Sequence, residues 1–307
     1  MADFATFVTT VYVFVDRLAP ELPPEPRRGG RPPALTRSEV LTLALIAQLG
    51  RFSSERDFYR FASQCLRPLF PGLPHRSQLH RAFKRQHSVL VALGHRWAAA
   101  LDARRVPYEV IDGTALPLRT NGRRGGVVTE FTARGKSTRL GWVIGCRLLV
   151  TTTPTGIITG TAVAPANAHD STLAEAFFHQ RALPDPATAM VGVPASGRYL
   201  GDAGFAGRLQ RGRWAACYAA VVEAPPKADQ VERWTRTHRR WHASARQIVE
   251  TVIGRLLRGM RLERERPRTL LGLLTRVAAK VALHNCCILW NRECGQPDLA
   301  FESVIGW

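Results

Sequence analysis

The hydrophobic period of this chain changes at Pro107, and it changes back after Pro225-Pro226. Before Pro107 the apolar residues recur at helical spacing. Phe4, Phe7, Val8, Val11, Phe14, Val15 and Leu18 predict a helix over residues 1–19. Thr36 and Glu39 form a capping-box pair ahead of the apolar run Val40–Leu49, with Gly50 as its stop. Ser53 or Ser54 opens a further helix through Phe58, Phe61 and Ala62. Two more follow, over Ser77–Lys84 and Val89–Ala103. After Pro107 the runs are short and β-rich: Tyr108–Ile111, then Trp142–Thr151 and Gly156–Val163 joined at Pro154-Thr155-Gly156. A helix over His169–Gln180 comes next. Strands near Tyr199–Leu200 and over Tyr218–Val222 complete the pattern, and the chain is helical to about Arg292 with a break near Pro267. The order β-β-β-α-β-α-β followed by helices predicts an α/β fold with a mixed sheet, preceded by an α-helical region.

This divides the chain into helical residues 1–104, an α/β unit over 105–295 and a tail over 296–307. Residues 20–34 hold six prolines and two glycines and read as a linker or arm. Its Arg27, Arg28 and Arg31 suit phosphate contact or a solvated loop equally well. The helices before Pro107, the one over Ser77–Lys84 basic, are compatible with a helix-turn-helix reader of DNA, although most small helical bundles look the same. Arg76, Arg81 and Lys84 are its candidate DNA contacts.

Charge then narrows the field. With 43 Lys and Arg against 24 Asp and Glu, the 307 residues carry +19 and a pI near 11.0, while 45% hydrophobic content excludes wholesale disorder. Such a surplus on a globular chain points to a polyanion, most often nucleic acid. The first residues lack the basic and apolar regions of a signal peptide. The apolar run Val277–Trp290 is broken by Lys280, His284 and Asn285, so no membrane span is expected. The expectation is a soluble protein of the cytoplasm. None of the six cysteines is spaced CxxC. Cys286 and Cys287 read as core, and zinc through Cys294 and His284 is the minor alternative.

In so basic a chain the acidic residues at element ends carry the chemistry. Asp112, in Val110-Ile111-Asp112-Gly113-Thr114, is expected at the end of the first strand, as a presented carboxylate or as a turn Asp before Gly. Asp202 repeats the arrangement in Gly201-Asp202-Ala203-Gly204-Phe205, so two carboxylates can meet on one sheet. Glu250 borders the stripe of Ile248, Val249, Val252, Ile253, Leu256 and Leu257. By itself it reads best as an ion pair with Arg246, one turn earlier. Three converging carboxylates suit Mg²⁺, a hard cation that takes oxygen ligands and keeps positions for phosphate oxygens. Two such ions about 4 Å apart serve phosphodiester chemistry.

Taken in order, Val110-Ile111-Asp112-Gly113, Ala166-Asn167-Ala168-His169-Asp170-Ser171, Gly201-Asp202-Ala203-Gly204-Phe205 and Arg246-Gln247-Ile248-Val249-Glu250-Thr251 resemble the DDE transposases of bacterial insertion sequences. Within that group the chain is most similar to the IS982, IS5 and IS4-like families, over roughly residues 5–295. The resemblance implies an RNase H-like catalytic domain and cleavage and strand transfer at terminal inverted repeats, with two Mg²⁺ or Mn²⁺ ions. Double-stranded DNA, as transposon end and as target, is the implied partner, bound by a homodimer or larger assembly near the nucleoid. Asp112, Asp202 and Glu250 take the three acidic positions, with Asp170 a competitor for the second. Asn167, His169 and Asp170 are otherwise capping or site-supporting. Arg246, Arg255 and Arg258 are candidate DNA contacts.

Two positions depart from the family. Where relatives often have Tyr before the Arg and Lys after the Glu, this chain has Ala243 and Leu257. Arg255 or Arg258 is the expected replacement for that Lys. The rival readings are a domesticated or inactive transposase-derived nuclease and a non-enzymatic DNA-binding regulator. The latter leaves the three carboxylates unexplained.

Overall fold

Thr36 closes the capping box that its spacing to Glu39 predicts: its hydroxyl accepts from the Glu39 N–H at 3.2 Å, and its own N–H donates to the Glu39 carboxylate at 2.6 Å. The computed structural model describes residues 3–24, 32–119, 131–183, 197–227 and 233–302. The N-terminal part is helical: α1 Phe4–Leu18, α2 Arg37–Ile46, α3 Glu55–Phe61, α4 Arg76–Arg85 and α5 His87–Ala100. Ser54 caps α3, as expected, its hydroxyl accepting from the Asp57 N–H. Arg27, Arg28 and Arg31 lie outside the described residues.

The rest is a mixed α/β structure. Its strands are β1 Glu109–Arg119, β2 Ala133–Ser137, β3 Gly141–Thr152, β4 Ile158–Pro165, β5 Arg198–Leu200 and β6 Val221–Glu223. The helices are α6 Asp170–Ala182, α7 Arg208–Tyr218, α8 Arg236–Gly254 and α9 Leu270–Glu293. In the sheet β3 pairs antiparallel with β1, β2 and β4, while β1–β5 and β5–β6 are parallel.

Three expectations are corrected here. The first strand does not end at Asp112: Ala115, Leu116 and Leu118 are buried beyond it, and pairing with β3 continues to a register shift at Pro117, which has no N–H to give. The Asp112-Gly113 pair therefore lies inside a strand and is not a turn. β2 went unseen because Ala133–Ser137 is polar and lies on the edge of β3, where nothing selects an apolar face. The strand expected over Tyr218–Val222 starts later, since α7 runs through Tyr218.

The sheet has two packed faces. Val110 and Ile111 are adjacent and point to opposite sides. Val110 belongs to a large core with Phe7, Leu45, Trp97 and Leu283 from α1, α2, α5 and α9. Ile111 belongs to a smaller one with Phe177, Phe178, Tyr199 and Trp214. The N-terminal helices thus share one core with the sheet.

Helix α9 is long and apolar enough to cross a membrane, but 83% of its most apolar window is buried inside the protein. The polar residues that interrupt it are its anchors. Lys280 donates to Gln48, just past the end of α2, at 2.8 Å and to Glu265 at 3.0 Å. Asn285 accepts from the Ile158 N–H and donates to the carbonyls of Gly94 and Ile158. His284 donates through Nε2 to the Gly156 carbonyl, and Cys294 is exposed, so the zinc alternative has no support.

Candidate active site

The parallel register of β1 and β5 sets the site. Val110 pairs with Leu200, so Asp112 and Asp202, each two residues further on, arrive side by side at the same end of the sheet. Asp112 shares the side of Val110, facing α8. Its Oδ1 accepts the Gly113 N–H at 2.9 Å and lies 3.6 Å from an Arg246 guanidinium nitrogen. Burial pushes the Asp112 carboxyl up to about 6; Arg246 opposes this, and Asp202 and Asp170 add to it. Asp202 begins a short 3₁₀ turn, its Oδ1 accepting from the Gly204 N–H at 2.8 Å.

Asp170 joins this pair from the other face. It is the first residue of α6, and its Oδ1 lies 2.3 Å from the point a Cβ on Gly113 would occupy. Its Oδ2 is 3.4 Å from the corresponding point at Gly204, where Asp202 Oδ1 comes within 2.9 Å. Arg147 of β3 pairs with Asp170 at 2.8 Å. Burial raises the Asp170 carboxyl, and Asp202 adds to the rise, while Arg147 holds it down. The capping role expected of Asn167, His169 and Asp170 is not seen. His169 occupies the N-cap of α6 without a side-chain bond, Asn167 is exposed, and Asp170 is turned to Arg147.

Glu250 stands apart. It lies on α8 one turn after Arg246, is exposed, and makes no ion pair among the described residues. The ion pair expected between Arg246 and Glu250 is replaced by the contact of Arg246 with Asp112. Among the described residues no three of His, Cys, Asp and Glu converge tightly enough to hold an ion together. Asp202 is near enough to Asp112 and Asp170 to raise the carboxyls of both, whereas Glu250 is exposed on α8.

The basic candidates divide. Arg76, Arg81 and Arg258 are exposed. Lys84 bonds the Thr269 hydroxyl at 3.1 Å, tying α4 to the start of α9. Arg255 donates to the Leu299 carbonyl and stacks 4.4 Å over Phe301, so it holds the C-terminal residues. Arg147 escaped the sequence reading, although it is the one charged residue inside the apolar run Trp142–Thr151, which was its signal.

A chain with one aspartate inside a strand and a second just past the neighbouring parallel strand of a mixed sheet, flanked by arginines, has the makings of a nucleic-acid-processing enzyme. The family model described as the transposase DDE domain matches residues 110–286, more than half of the chain, and the protein belongs to that family. No curated protein and no solved structure gives a significant match. Residue 110 is two positions before Asp112, so the matched segment takes in all four carboxylates.

Proposed function

We propose that the protein is an insertion-sequence transposase that cuts DNA at terminal inverted repeats and joins the freed end to target DNA. The observation that carries this reading is the approach of Asp202, just past the end of β5, to Asp112 in the adjacent parallel strand β1. The mixed sheet, with β1 central and β5 parallel to it, suits an RNase H-like catalytic domain over 105–295. The helices of residues 1–104 suit DNA recognition, with Arg76 and Arg81 of α4 facing solvent.

The donor set fits a divalent cation. Mg²⁺ binds through one or two carboxylates, with water and phosphate oxygens completing its shell. Asp112 and Asp202 are that pair, close enough for Asp202 to add to the rise of the Asp112 carboxyl, and Asp170, its Oδ1 held by Arg147 at 2.8 Å, lies beside them. When bound, such ions polarise the phosphodiester and stabilise its developing charge. The chain's own residues do the rest. β1 and β5 fix the two carboxylates. Arg246 sits against Asp112, where a phosphate oxygen would also be met. Glu250, exposed on the same helix and without an ion pair among the described residues, is the third carboxylate in this reading and would join when DNA is bound. Two transposon ends must be brought together, so the working form is a homodimer or larger. The site of action is the nucleoid in the cytoplasm.

Cleavage of labelled DNA carrying the element's own inverted repeats, in Mg²⁺ or Mn²⁺, tests the reading. Asp112→Ala, Asp202→Ala and Glu250→Ala are each expected to abolish cleavage while leaving DNA binding. Undiminished cleavage in all three refutes it.

A further inference from the structure

Two arginines reach the acidic end of the sheet, and each is given a carboxylate. Arg246 faces Asp112 from α8, and Arg147 faces Asp170 from β3. Arg147 stands opposite Ala115 of β1, so it projects to the same side as Gly113, under the start of α6. Its side chain is only 17% exposed and its Nε is buried without a hydrogen-bond partner. The Asp170 carboxylate stands between it and the catalytic pair. Oδ1 meets Arg147 at 2.8 Å, and Oδ2 lies over Gly204 beside the Asp202 carboxylate. Gly113 is what admits the carboxylate, because any side chain there would collide with Oδ1 at 2.3 Å.

An acidic residue in the first turn of a helix is ordinarily explained by the helix dipole. That explanation does not require a glycine cleared beneath the carboxylate or an arginine buried against it. We propose that Asp170 is a positioning residue for the candidate cation site: by closing an ion pair with Arg147, it keeps that guanidinium off the neighbouring Asp202 and leaves the Asp202 carboxylate, with Asp112, to a divalent cation. Without Asp170, the buried arginine has the Asp202 carboxylate beside it as compensation and competes with the cation for it. The inference rests on the reading of Asp112 and Asp202 as the cation-holding pair.

The test is Mn²⁺ binding to the full chain without DNA, followed by the electron paramagnetic resonance signal of the free ion. Asp170→Asn is expected to weaken binding about ten-fold or more, as removal of groups that orient metal ligands does. Arg147→Gln combined with Asp170→Asn is expected to return binding close to the parent value, because the competing charge is gone. A purely structural or dipole role predicts no such rescue. Parent-like binding in Asp170→Asn, or a double variant as weak as the single, overturns the proposal. If Asp170→Asn does not fold, as judged by thermal melting, Gly113→Ala takes its place: it displaces the carboxylate and retains its charge. The same loss and the same rescue by Arg147→Gln are expected. Asp112→Asn and Asp202→Asn test the underlying reading. If neither weakens Mn²⁺ binding, the cation site itself is wrong. If both weaken it and Asp170→Asn does not, the site stands and the role given to Asp170 falls.

Discussion

Breaking the buried pair of Glu109 and Arg181 should cost this protein a large part of its stability, and removing both partners should return most of it. Glu109 opens β1 with a side chain at 0% exposure, and Arg181, near the end of α6, is at 4%. The contact is bidentate, at 2.6 and 2.9 Å. Arg181 also donates to the Tyr199 hydroxyl at 2.9 Å, and the Thr159 hydroxyl donates to Glu109 at 3.2 Å. The cluster therefore ties together β1, β4, β5 and α6. Glu109 lies three residues before Asp112 and Tyr199 three before Asp202, while α6 begins with Asp170. The clamp fixes the three elements that carry the assembled carboxylates.

Arg181→Met leaves the Glu109 carboxylate buried beside a thioether. Removing one partner of such a pair costs about 3–5 kcal/mol, because an uncompensated charge remains in a low-dielectric setting. With a urea dependence of about 2–3 kcal/mol per molar, the unfolding midpoint should fall by about 1.5 M. Glu109→Leu with Arg181→Met leaves no charge behind, and packed apolar replacements of buried pairs are often neutral. Its unfolding free energy should lie within about 1 kcal/mol of the parent's. Urea unfolding followed by tryptophan fluorescence measures both, since Trp214 is fully buried in the adjoining core. If Arg181→Met costs under about 1 kcal/mol, or if the double variant costs as much as the two single variants together, the pair is not the clamp described.

Four further outcomes are expected. Gly113→Ala should leave the melting temperature nearly unchanged but reduce DNA cleavage at least ten-fold or so, because the added Cβ meets only the movable Asp170 carboxylate, at 2.3 Å. His284, fully buried and pushed down to about 4, binds its proton in the unfolded chain first. Stability present above about pH 6.5 is therefore lost as pH falls toward 4, by about 3 kcal/mol, and His284→Gln should flatten urea midpoints across that window. Arg76→Ala and Arg81→Ala should each lower the salt slope of DNA binding by about one, measured by fluorescence anisotropy from 50 to 300 mM salt. Lys280→Met should destabilise because the Glu265 carboxylate, which Lys280 and Arg276 together hold below the usual carboxylate range, loses one of its two cations; Lys280→Met with Glu265→Gln should recover part of the loss in thermal melts.

What the sequence disclosed follows the physics of each signal. Local signals survived intact: the Thr36–Glu39 box, the Ser54 cap, and the change of period at Pro107 all report interactions within a few residues. The pairing of Asp112 with Asp202 was legible because two apolar strands each deliver an aspartate near glycine, and parallel neighbours share a register. Asp112 inside a strand was not legible, since Asp-Gly has the chemistry of a turn and only long-range pairing with β3 overrides it. Asp170 was underrated for a related reason. Its position at a helix start explains it locally, and only the folded sheet puts Gly113 and Gly204 beneath its oxygens. Arg147 was invisible as a partner because nothing local distinguishes an arginine paired across a fold from one facing solvent.

That last point changes how the +19 charge is understood. Arginines that looked like one DNA-binding surplus serve two different purposes. Arg181, Arg147 and Arg246 are buried or nearly so, each set against a carboxylate of the site or of its clamp. Arg276 is placed between Glu55 and Glu265, and Arg292 against Asp298. Such pairs are local and nearly neutral, and they contribute little to the field that draws in DNA. The attracting field comes from residues such as Arg76, Arg81, Arg239, Arg240 and Arg258, which face solvent. A paired arginine replaced by glutamine should lower stability or cation binding with little change in the salt slope. A solvent-facing one should do the reverse. The two groups are thus separable by experiment although the sequence writes them with the same letter.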